Sequence, residues 1–266
     1  MKLHFPQSMR FHGQRAIQYL DFEPYDVKKD RSLPAMFWLY SPDDYKMLFN
    51  HQGKSYVYWH GIDVLYLQKH IGNFLPLLRK AKPECACHNE VQQNILAEMG
   101  IFSHVRPVFW NDLRKYTHSN QPLTKQVYMT SHPEREAEYG EPMINAVAYA
   151  LPDWKFHIFG TEKALPVCEN VFYHGFVPEE EMDEITKDHA ATIRWKHIRG
   201  IHWDGVSQTV IKALLRGQMA ITGIKYNFAH HAGGIGDIIS YLKDFDTLKD
   251  SLPKIELNNF DWLEKQ

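Results

Sequence analysis

The chain has 266 residues, which exceeds one average domain and leaves room for two small domains, each with its own core. Its 30 Lys and Arg residues nearly balance 32 Asp and Glu residues, and the net charge of -2 excludes a global field for gripping nucleic acid or an anionic membrane. No run approaches the ~18 apolar residues that a membrane-spanning helix needs, and the first residues lack the apolar stretch of a signal peptide. Three cysteines, which cannot all pair, favour a reducing compartment, and the cytoplasm is the predicted location.

Short apolar runs alternate with helical patterns along the chain, which predicts an α/β protein with parallel sheets. In the first half the apolar runs predict strands near residues 2–5, 36–40, 56–59, 84–88 and 105–109. A helix begins after Asn89, a capping residue, and ends at Gly100. The polar stretch 114–122 then interrupts the pattern, which predicts an interdomain linker.

The second half continues the same alternation. Its apolar runs predict strands near residues 127–130, 155–159, 171–174, 191–194 and 219–222. Pro142 lies in the first turn of one predicted helix, and another begins at Ser207 as a cap and ends at Gly217. From residue 235 onward the pattern becomes helical again. We therefore predict domains over 1–120 and 121–240, with a helical tail over 241–266 that packs back toward the N-terminal domain.

The segment 201–221 contains a turn, a capped helix, a glycine stop and a buried strand. Backbone N–H groups at a helix start attract phosphate together with the helix dipole, and Gly205 lets the backbone approach a ligand closely. An ordinary strand, loop and helix of any α/β protein would have the same pattern. The pattern alone therefore leaves both interpretations open.

The same segment resembles the signature of retaining GT-B glycosyltransferases of the family 4, or group 1, type. In that signature an acidic residue and a glycine-rich turn precede a small-residue helix, a glycine and a strand. Asp204 takes the acidic position and Gly205 the glycine, followed by Val206 and Ser207. The second acidic position of the family, which holds the nucleotide ribose, is occupied by Lys212. This is a departure from the family pattern.

Flanking segments agree with the resemblance in order and spacing. Residues 127–140 are similar to the first strand and loop of the family's donor domain, where Ser131 lies and where Arg135 fits the basic residue that meets the diphosphate. Tyr139 replaces the lysine expected there. Residues 171–178 match a later strand that ends near the nucleotide base, at Gly175.

A further basic residue precedes the Asp-Gly turn in the family. Arg194 and Arg199 both fit this place, and Arg199 is the one we assign.

In the first half, residues 56–63 are similar to the strand whose terminal His-Gly reaches the donor sugar, which makes His60 a candidate. The alternative is a histidine that is satisfied locally. Asp63 fits a catalytic base or a loop cap. Residues 9–15 occupy the place of the family's first glycine-bearing loop, with Gly13 and Arg15 as candidate contributors. The resemblance covers about residues 36–225.

Two short motifs have the residue types of metal sites but not the context. Asp244 and Asp246 match the Asp-x-Asp of the other large glycosyltransferase fold, yet they lie in a charged, helix-patterned tail, which favours a solvated face. Cys85 and Cys87, followed by His88, lack the two-residue gap of a zinc knuckle, so core packing is favoured. The sequence implies no metal.

The resemblance implies a GT-B-like α/β fold with two Rossmann-like domains facing a cleft, the N-terminal one shortened. It implies metal-independent, retaining transfer of a sugar from a nucleoside diphosphate sugar, with no other cofactor. The predicted catalytic residues are His60, Asp204 and Arg135. The predicted donor-binding residues are Ser131, Arg135, Gly175, Arg199, Asp204, Gly205, Val206, Ser207 and Lys212.

A shortened first domain favours a large acceptor, such as a polysaccharide, a glycoprotein or a modified nucleic acid, or a site completed by a partner subunit or oligomer. Two other functions stay open at this point. One is a non-catalytic subunit that binds sugar nucleotides, and the other is a sugar-nucleotide epimerase on the same scaffold.

Overall fold

A computed structural model describes residues 1–116, 122–134, 136–163, 166–195 and 205–263. These residues form two compact units. The first unit contains residues 1–113, 205–206 and 256–263, and the second contains the described residues of 114–195 and 207–255. Residues 117–121 of the predicted linker lie outside the described ranges.

The described part of the first unit contains one six-stranded parallel sheet, with strand order β2-β1-β3-β4-β5-β6. A 3₁₀ turn at Gln7–Met9 precedes the first helix, and another follows at Leu113–Lys115. The elements are β1 (Lys2–His4), α1 (Arg10–Tyr19), β2 (Glu23–Pro24), β3 (Ala35–Phe37), α2 (Pro42–Asn50), β4 (Ser55–Trp59), α3 (Ile62–Lys69), α4 (Ile71–Ala81), β5 (Glu84–Cys87), α5 (Glu90–Glu98) and β6 (His104–Val105).

The core of the first unit lies on both faces of its sheet. Every residue of β3 and β4 is buried, which explains why the sequence of these strands does not alternate between apolar and polar residues. Val57 and Trp59 belong to the apolar cluster on one face, and Tyr56 and Tyr58 belong to the cluster on the other. The cluster that contains Tyr56 and Tyr58 is the richer in aromatic side chains, and such large rings bury much apolar surface per residue.

The described part of the second unit also contains a six-stranded parallel sheet, with strand order β12-β11-β10-β7-β8-β9. Its elements are β7 (Thr124–Thr130), α6 (Glu136–Tyr139), α7 (Glu141–Ala150), β8 (Lys155–Phe159), β9 (Val171–Gly175), α8 (Glu179–Thr186), β10 (His189–Arg194), α9 (Gln208–Leu215), β11 (Met219–Thr222), β12 (His230–His231), α10 (Ile235–Lys243) and α11 (Phe245–Leu248). This is the doubly wound strand order of a dinucleotide-binding fold. The predicted fold class, α/β with two Rossmann-like domains, is confirmed.

Two predictions about local structure are wrong. Residues 9–15, predicted to take the place of a glycine-bearing loop, instead lie in helix α1 from Arg10 onward, and Gly13 is buried where a side chain would clash with the ring of Phe5. Its glycine serves helix-to-strand packing, while the Arg15 guanidinium lies 3.9 Å from the Phe11 ring centre. The strand predicted over 105–109 ends at Val105, because Pro107 has no N–H to donate to a ladder.

The segment predicted as a helical tail, 241–266, is not helical throughout. Helix α10 ends at Lys243, α11 ends at Leu248, and residues 253–260 have no regular structure. Asn258 has a φ of 56°, in the left-handed region, and its side chain accepts a hydrogen bond from Phe109 N at 2.8 Å. This segment is tied to the first unit by backbone-to-side-chain bonds rather than by a helix, and Trp262 packs into that unit's core.

Among the described residues, the helices are too short or too polar for any of them to cross a membrane.

Candidate functional site

The strand order of the second unit reverses between β7 and β10, which are neighbours in its sheet. Connections on the two sides of such a point diverge, and open α/β sheets bind ligands in the resulting crevice at the carboxyl ends of the strands. Strand β7 ends at Thr130 and β10 ends at Arg194. We call these strand ends and the residues around them the switch-point edge.

A buried carboxylate organises one side of this edge. Glu141 is fully buried and accepts hydrogen bonds from Ser131 Oγ at 3.0 Å, from Tyr173 OH at 3.1 Å and from Thr161 Oγ1 at 3.4 Å. Glu141 also pairs with Lys163 and is the first residue of α7. The Lys163 ammonium and the start of this helix both interact favourably with the Glu141 carboxylate. One side chain therefore joins the ends of β7, β8 and β9.

Replacing Glu141 with alanine is expected to destabilise the second unit by about 2–4 kcal/mol, because several buried donors lose their acceptor. Urea unfolding followed by circular dichroism measures this loss. Glu180 is an exposed acid of the same unit, and its alanine variant should stay within about 0.5 kcal/mol of the wild type. Equal stabilities for the two variants would contradict the organising role of Glu141.

Gly175 belongs to the same group of strand ends as Ser131. Its N–H donates to Thr161 O at 3.0 Å, and its carbonyl accepts from Gly160 N at 2.6 Å, so it fastens the end of β9 to the end of β8. The φ of 63° lies in the left-handed region that glycine adopts without strain. Ser131 N donates to Phe159 O at 2.7 Å, so Ser131 and Gly175 both lie beside the end of β8.

The other side of the switch-point edge carries a basic residue. The Arg194 guanidinium lies 4.7 Å from the ring centre of Tyr139, which immediately precedes Gly140 and helix α7. A side chain at Gly140 would lie 2.6 Å from the Cβ of Trp195, so this glycine allows α7 to start against the end of β10. Position 139 has a tyrosine where the family has a lysine. The Arg194 guanidinium lies beside this tyrosine and supplies a positive charge there.

Helix α9 begins after Ser207, as predicted, but the capping prediction is wrong. The Ser207 hydroxyl makes no capping hydrogen bond, and only its carbonyl takes part, by accepting from Ile211 N at 3.0 Å. The two residues before it, Gly205 and Val206, belong to the first unit, where Val206 is buried.

Lys212 belongs to a separate, buried network on α8 and α9. Its side chain is 4% exposed, and its Nζ donates to Glu179 at 2.5 Å and to Asp183 at 2.9 Å. Asp183 also pairs with Arg216 at 3.1 Å and accepts a hydrogen bond from Tyr116 OH at 2.7 Å. Burial and the nearby carboxylate raise the pKa of Tyr116 above its usual range. The ammonium of Lys212 is thus committed to two acids of its own unit.

In the first unit, His60 follows β4 at the carboxyl end of the sheet. Asp63 is fully buried and accepts backbone N–H bonds from Gly61 at 2.7 Å and from His60 at 3.0 Å, which fixes the turn between them. Gly61 has a φ of 142°, which side chains rarely adopt. Burial raises the Asp63 pKa to about 6, although these N–H bonds oppose the shift. Of the two roles considered for Asp63, catalytic base and loop cap, these hydrogen bonds support the loop cap.

The His60 imidazole lies in an aromatic cage. Its ring centre is 4.4 Å from that of Trp38, 5.1 Å from Tyr58 and 5.4 Å from Trp110. Burial, followed by the nearby His88, holds the His60 pKa well below its usual range, so the ring is neutral at pH 7. Its Nε2 is buried and has no hydrogen-bond partner among the described residues.

Gly205 packs directly against His60. A Cβ at position 205 would lie 2.5 Å from the His60 carbonyl oxygen, which only glycine avoids. The structure therefore brings these two predicted residues together. Arg135, Arg199 and Asp204 lie outside the described residues.

Glu141, Lys163 and Tyr173 were not predicted, because their partners are distant in sequence. Arg194, one of the two candidates for the basic residue of the donor segment, ends a strand beside the switch point. Within the described ranges, His, Cys, Asp and Glu form no group that could hold a metal. Cys85 and Cys87 are buried, and burial raises their pKa values to about 12 and about 11.

No family model and no curated protein matches the chain. Among solved structures, HepE from Anabaena in complex with UDP and glucose is 10% identical, over 94% of this chain and 76% of HepE, with a TM-score of 0.59. A TarM mutant from S. aureus in complex with Fondaparinux, alpha-GlcNAc-glycerol and UDP is 14% identical, over 81% of this chain and 49% of TarM, with a TM-score of 0.55.

A third similar structure is a protein from Listeria monocytogenes that is assigned as a UDP-N-acetylglucosamine 2-epimerase. It is 11% identical, over 92% of this chain and 79% of the epimerase, with a TM-score of 0.51. HepE and TarM are GT-B glycosyltransferases, and the fold of this chain resembles theirs, as the sequence predicted. The chain spans about half the length of TarM.

Proposed function

We propose that this protein transfers a sugar from a nucleoside diphosphate sugar to an acceptor. The observation that carries the proposal is the switch-point edge of the second unit. There, a half-buried guanidinium on Arg194, the start of α7 at Gly140 and the strand ends held by Glu141 lie at the place where open α/β sheets bind nucleotides. HepE and TarM, which share the fold, were solved with UDP bound.

The chemistry of the second unit would be stabilisation of the leaving diphosphate. Breaking the bond between sugar and phosphate builds negative charge on the phosphate oxygens, and fixed cations and helix starts stabilise that charge. Arg194 is a described cation at this edge, and Arg135 is a further cation proposed from the sequence. The start of helix α9, next to Ser207, would contribute backbone N–H groups.

His60 would contact the sugar. His60 is neutral and offers one ring N–H and one lone pair, which are suited to a hydroxyl group rather than to a charged one. Asp204, by the family resemblance, would hold further sugar hydroxyls. We propose a hexose as the transferred sugar, retention of its anomeric configuration and no requirement for a metal. Activity that survives EDTA, and a product whose anomeric NMR coupling matches the donor, would support these finer points.

We also propose a large acceptor, such as a polysaccharide, a glycoprotein or a modified nucleic acid, and a location in the cytoplasm. Transfer to candidate acceptors in vitro tests the first of these, because a labelled sugar from the donor would appear on the acceptor.

Replacing Arg194 with glutamine should weaken UDP binding at least tenfold, as expected for the loss of a charge-assisted contact of about 1.5–3 kcal/mol. Isothermal titration of UDP into the wild type and the variant measures the change. Lys187→Gln is the matched control, because Lys187 is an exposed cation of the same unit that pairs only with Glu184 in the described residues. Equal affinities in the wild type and the Arg194 variant would reject the assignment of Arg194.

A further inference from the structure

A second histidine lies beside His60 at the same edge of the first sheet. Strands β4 and β5 are paired, with Trp59 opposite Cys87, so the next residue of each strand places His60 and His88 next to one another. Their ring centres are 5.8 Å apart. The His88 backbone N–H donates to Gln92 Oε1 at 2.9 Å, which fixes the start of this loop.

Both histidines have a buried nitrogen with no hydrogen-bond partner in the described ranges. These atoms are His88 Nδ1, on a residue that is 4% exposed, and His60 Nε2. The indole Nε1 atoms of Trp38 and Trp110, whose rings contact His60, are also buried and have no hydrogen-bond partner in the described ranges. Buried polar atoms in native proteins are nearly always partnered. Four unpartnered polar atoms therefore lie in one cluster of rings. This arrangement points to a partner that the surrounding side chains do not supply, such as a polar group of a ligand.

The two imidazoles are suited to a neutral hydroxyl. Burial lowers the His88 pKa to about 3 and holds the His60 pKa well below its usual range, so both rings are uncharged at pH 7. An uncharged imidazole has one N–H donor and one acceptor nitrogen. A hydroxyl between two such rings accepts from one and donates to the other.

Gly205 connects this pair to the predicted donor segment. A Cβ at position 205 would lie 2.9 Å from His88 Cδ2 and 2.5 Å from the His60 carbonyl. Gly205 therefore lies against both histidines at once.

We propose that His88 is a second ligand-binding imidazole, and that His60 and His88 together hold one hydroxyl of the donor sugar. This proposal rests on the proposed function. It assigns to His88 a contact with the sugar and none with the nucleotide, so His88 distinguishes UDP-sugar from UDP.

Calorimetric titration of UDP-glucose, UDP-N-acetylglucosamine and UDP tests this distinction in the wild type and in His88→Phe and His88→Gln. Phenylalanine keeps the ring volume and removes both nitrogens, whereas glutamine keeps one donor and one acceptor. His88→Phe should weaken the tighter UDP-sugar about tenfold and leave UDP unchanged, as expected for one lost hydrogen bond. His88→Gln should recover part of the loss. His104→Phe, at an exposed position of the same unit, should change neither affinity.

Equal weakening of UDP-sugar and UDP by both His88 variants would overturn the proposal, because it would indicate a purely structural role. Unchanged affinity for UDP-sugar would also overturn it. If His88→Phe does not fold, the His88→Gln titration decides in the same way, with weaker binding of UDP-sugar and unchanged UDP as the supporting result. Failure of the proposed function looks different, since the wild type would then bind neither UDP nor UDP-sugar.

Discussion

Replacing Lys212 with glutamate, the residue class that the family has at this position, is expected to destabilise the second unit by about 4 kcal/mol or more. The variant removes a buried ammonium that pairs with Glu179 and Asp183, and it adds a third carboxylate beside them. Arg216, which follows α9, and Lys115, which lies 3.8 Å from Asp183, would then face three acids. The family's acid therefore cannot be restored here by a single substitution, because the surrounding charges have changed as well.

Urea unfolding of the Lys212→Glu variant, followed by circular dichroism, measures this effect. Lys187→Glu is the matched control, since Lys187 lies on the surface and pairs with a single exposed acid, Glu184. Its cost should stay below about 1 kcal/mol, the usual range for exposed ion pairs. A Lys212→Glu variant as stable as this control would contradict the buried network. Normal stability in the double variant Lys212→Glu/Glu179→Lys would support charge pairing as the cause.

Acidification from about pH 6.5 to pH 4 should destabilise both units. Burial lowers the pKa of His88 in the first unit and of His157 in the second to about 3, compared with about 6.5 in unfolded chains. The unfolded state therefore binds more protons in this window, and stability falls as pH falls. Each of the two histidines contributes up to about 1.4 kcal/mol per pH unit.

Asp63 has the opposite effect on how the stability of the first unit changes with pH. Its folded pKa of about 6 lies above its unfolded value, so its contribution grows as pH falls through about 6, and it offsets one histidine there. His60 adds to the acid sensitivity of that unit, because its pKa is also lowered. In the second unit, the pKa values of His174 and His189 are lowered together with that of His157, so the net effect there is a loss of stability.

Urea unfolding at a series of pH values measures this slope, and His157→Gln should make it shallower by up to about 1.4 kcal/mol per pH unit. The control is His231→Gln, at an exposed histidine of the same unit. A pH dependence that is the same in the wild type and the His157 variant would contradict the assignment.

The alternation of apolar runs was enough to predict the strands that the sheets bury on both faces. Strands β4 and β8 begin and end within a residue of their predicted bounds, because apolar runs and flanking polar residues limit them locally. The two-residue strands β2 and β12 have no such run and were missed. Helix α1 was missed because its sequence, with Gly13 in the middle, lacks a clear apolar face.

Residues of the candidate site were predictable only where the local sequence explains why one residue type is needed. Gly205 was predicted because a phosphate needs close approach to the backbone, and in the structure the same absence of a side chain is required by His60 and His88. The carboxylate of Glu141 was not predictable, since its four partners come from other elements and meet only after folding. Long-range polar networks of this kind have no period and no fixed spacing in sequence.

The central claim is sugar transfer from a nucleoside diphosphate sugar, and turnover of a donor without an acceptor tests it most directly. The purified chain is incubated with a panel that includes UDP-glucose and UDP-N-acetylglucosamine, and the release of nucleotide and free sugar is measured. We predict slow release that is lost in Asp204→Ala while the circular dichroism spectrum is unchanged. Interconversion of sugars would indicate an epimerase, binding without turnover would indicate a non-catalytic subunit, and either result would contradict the claim.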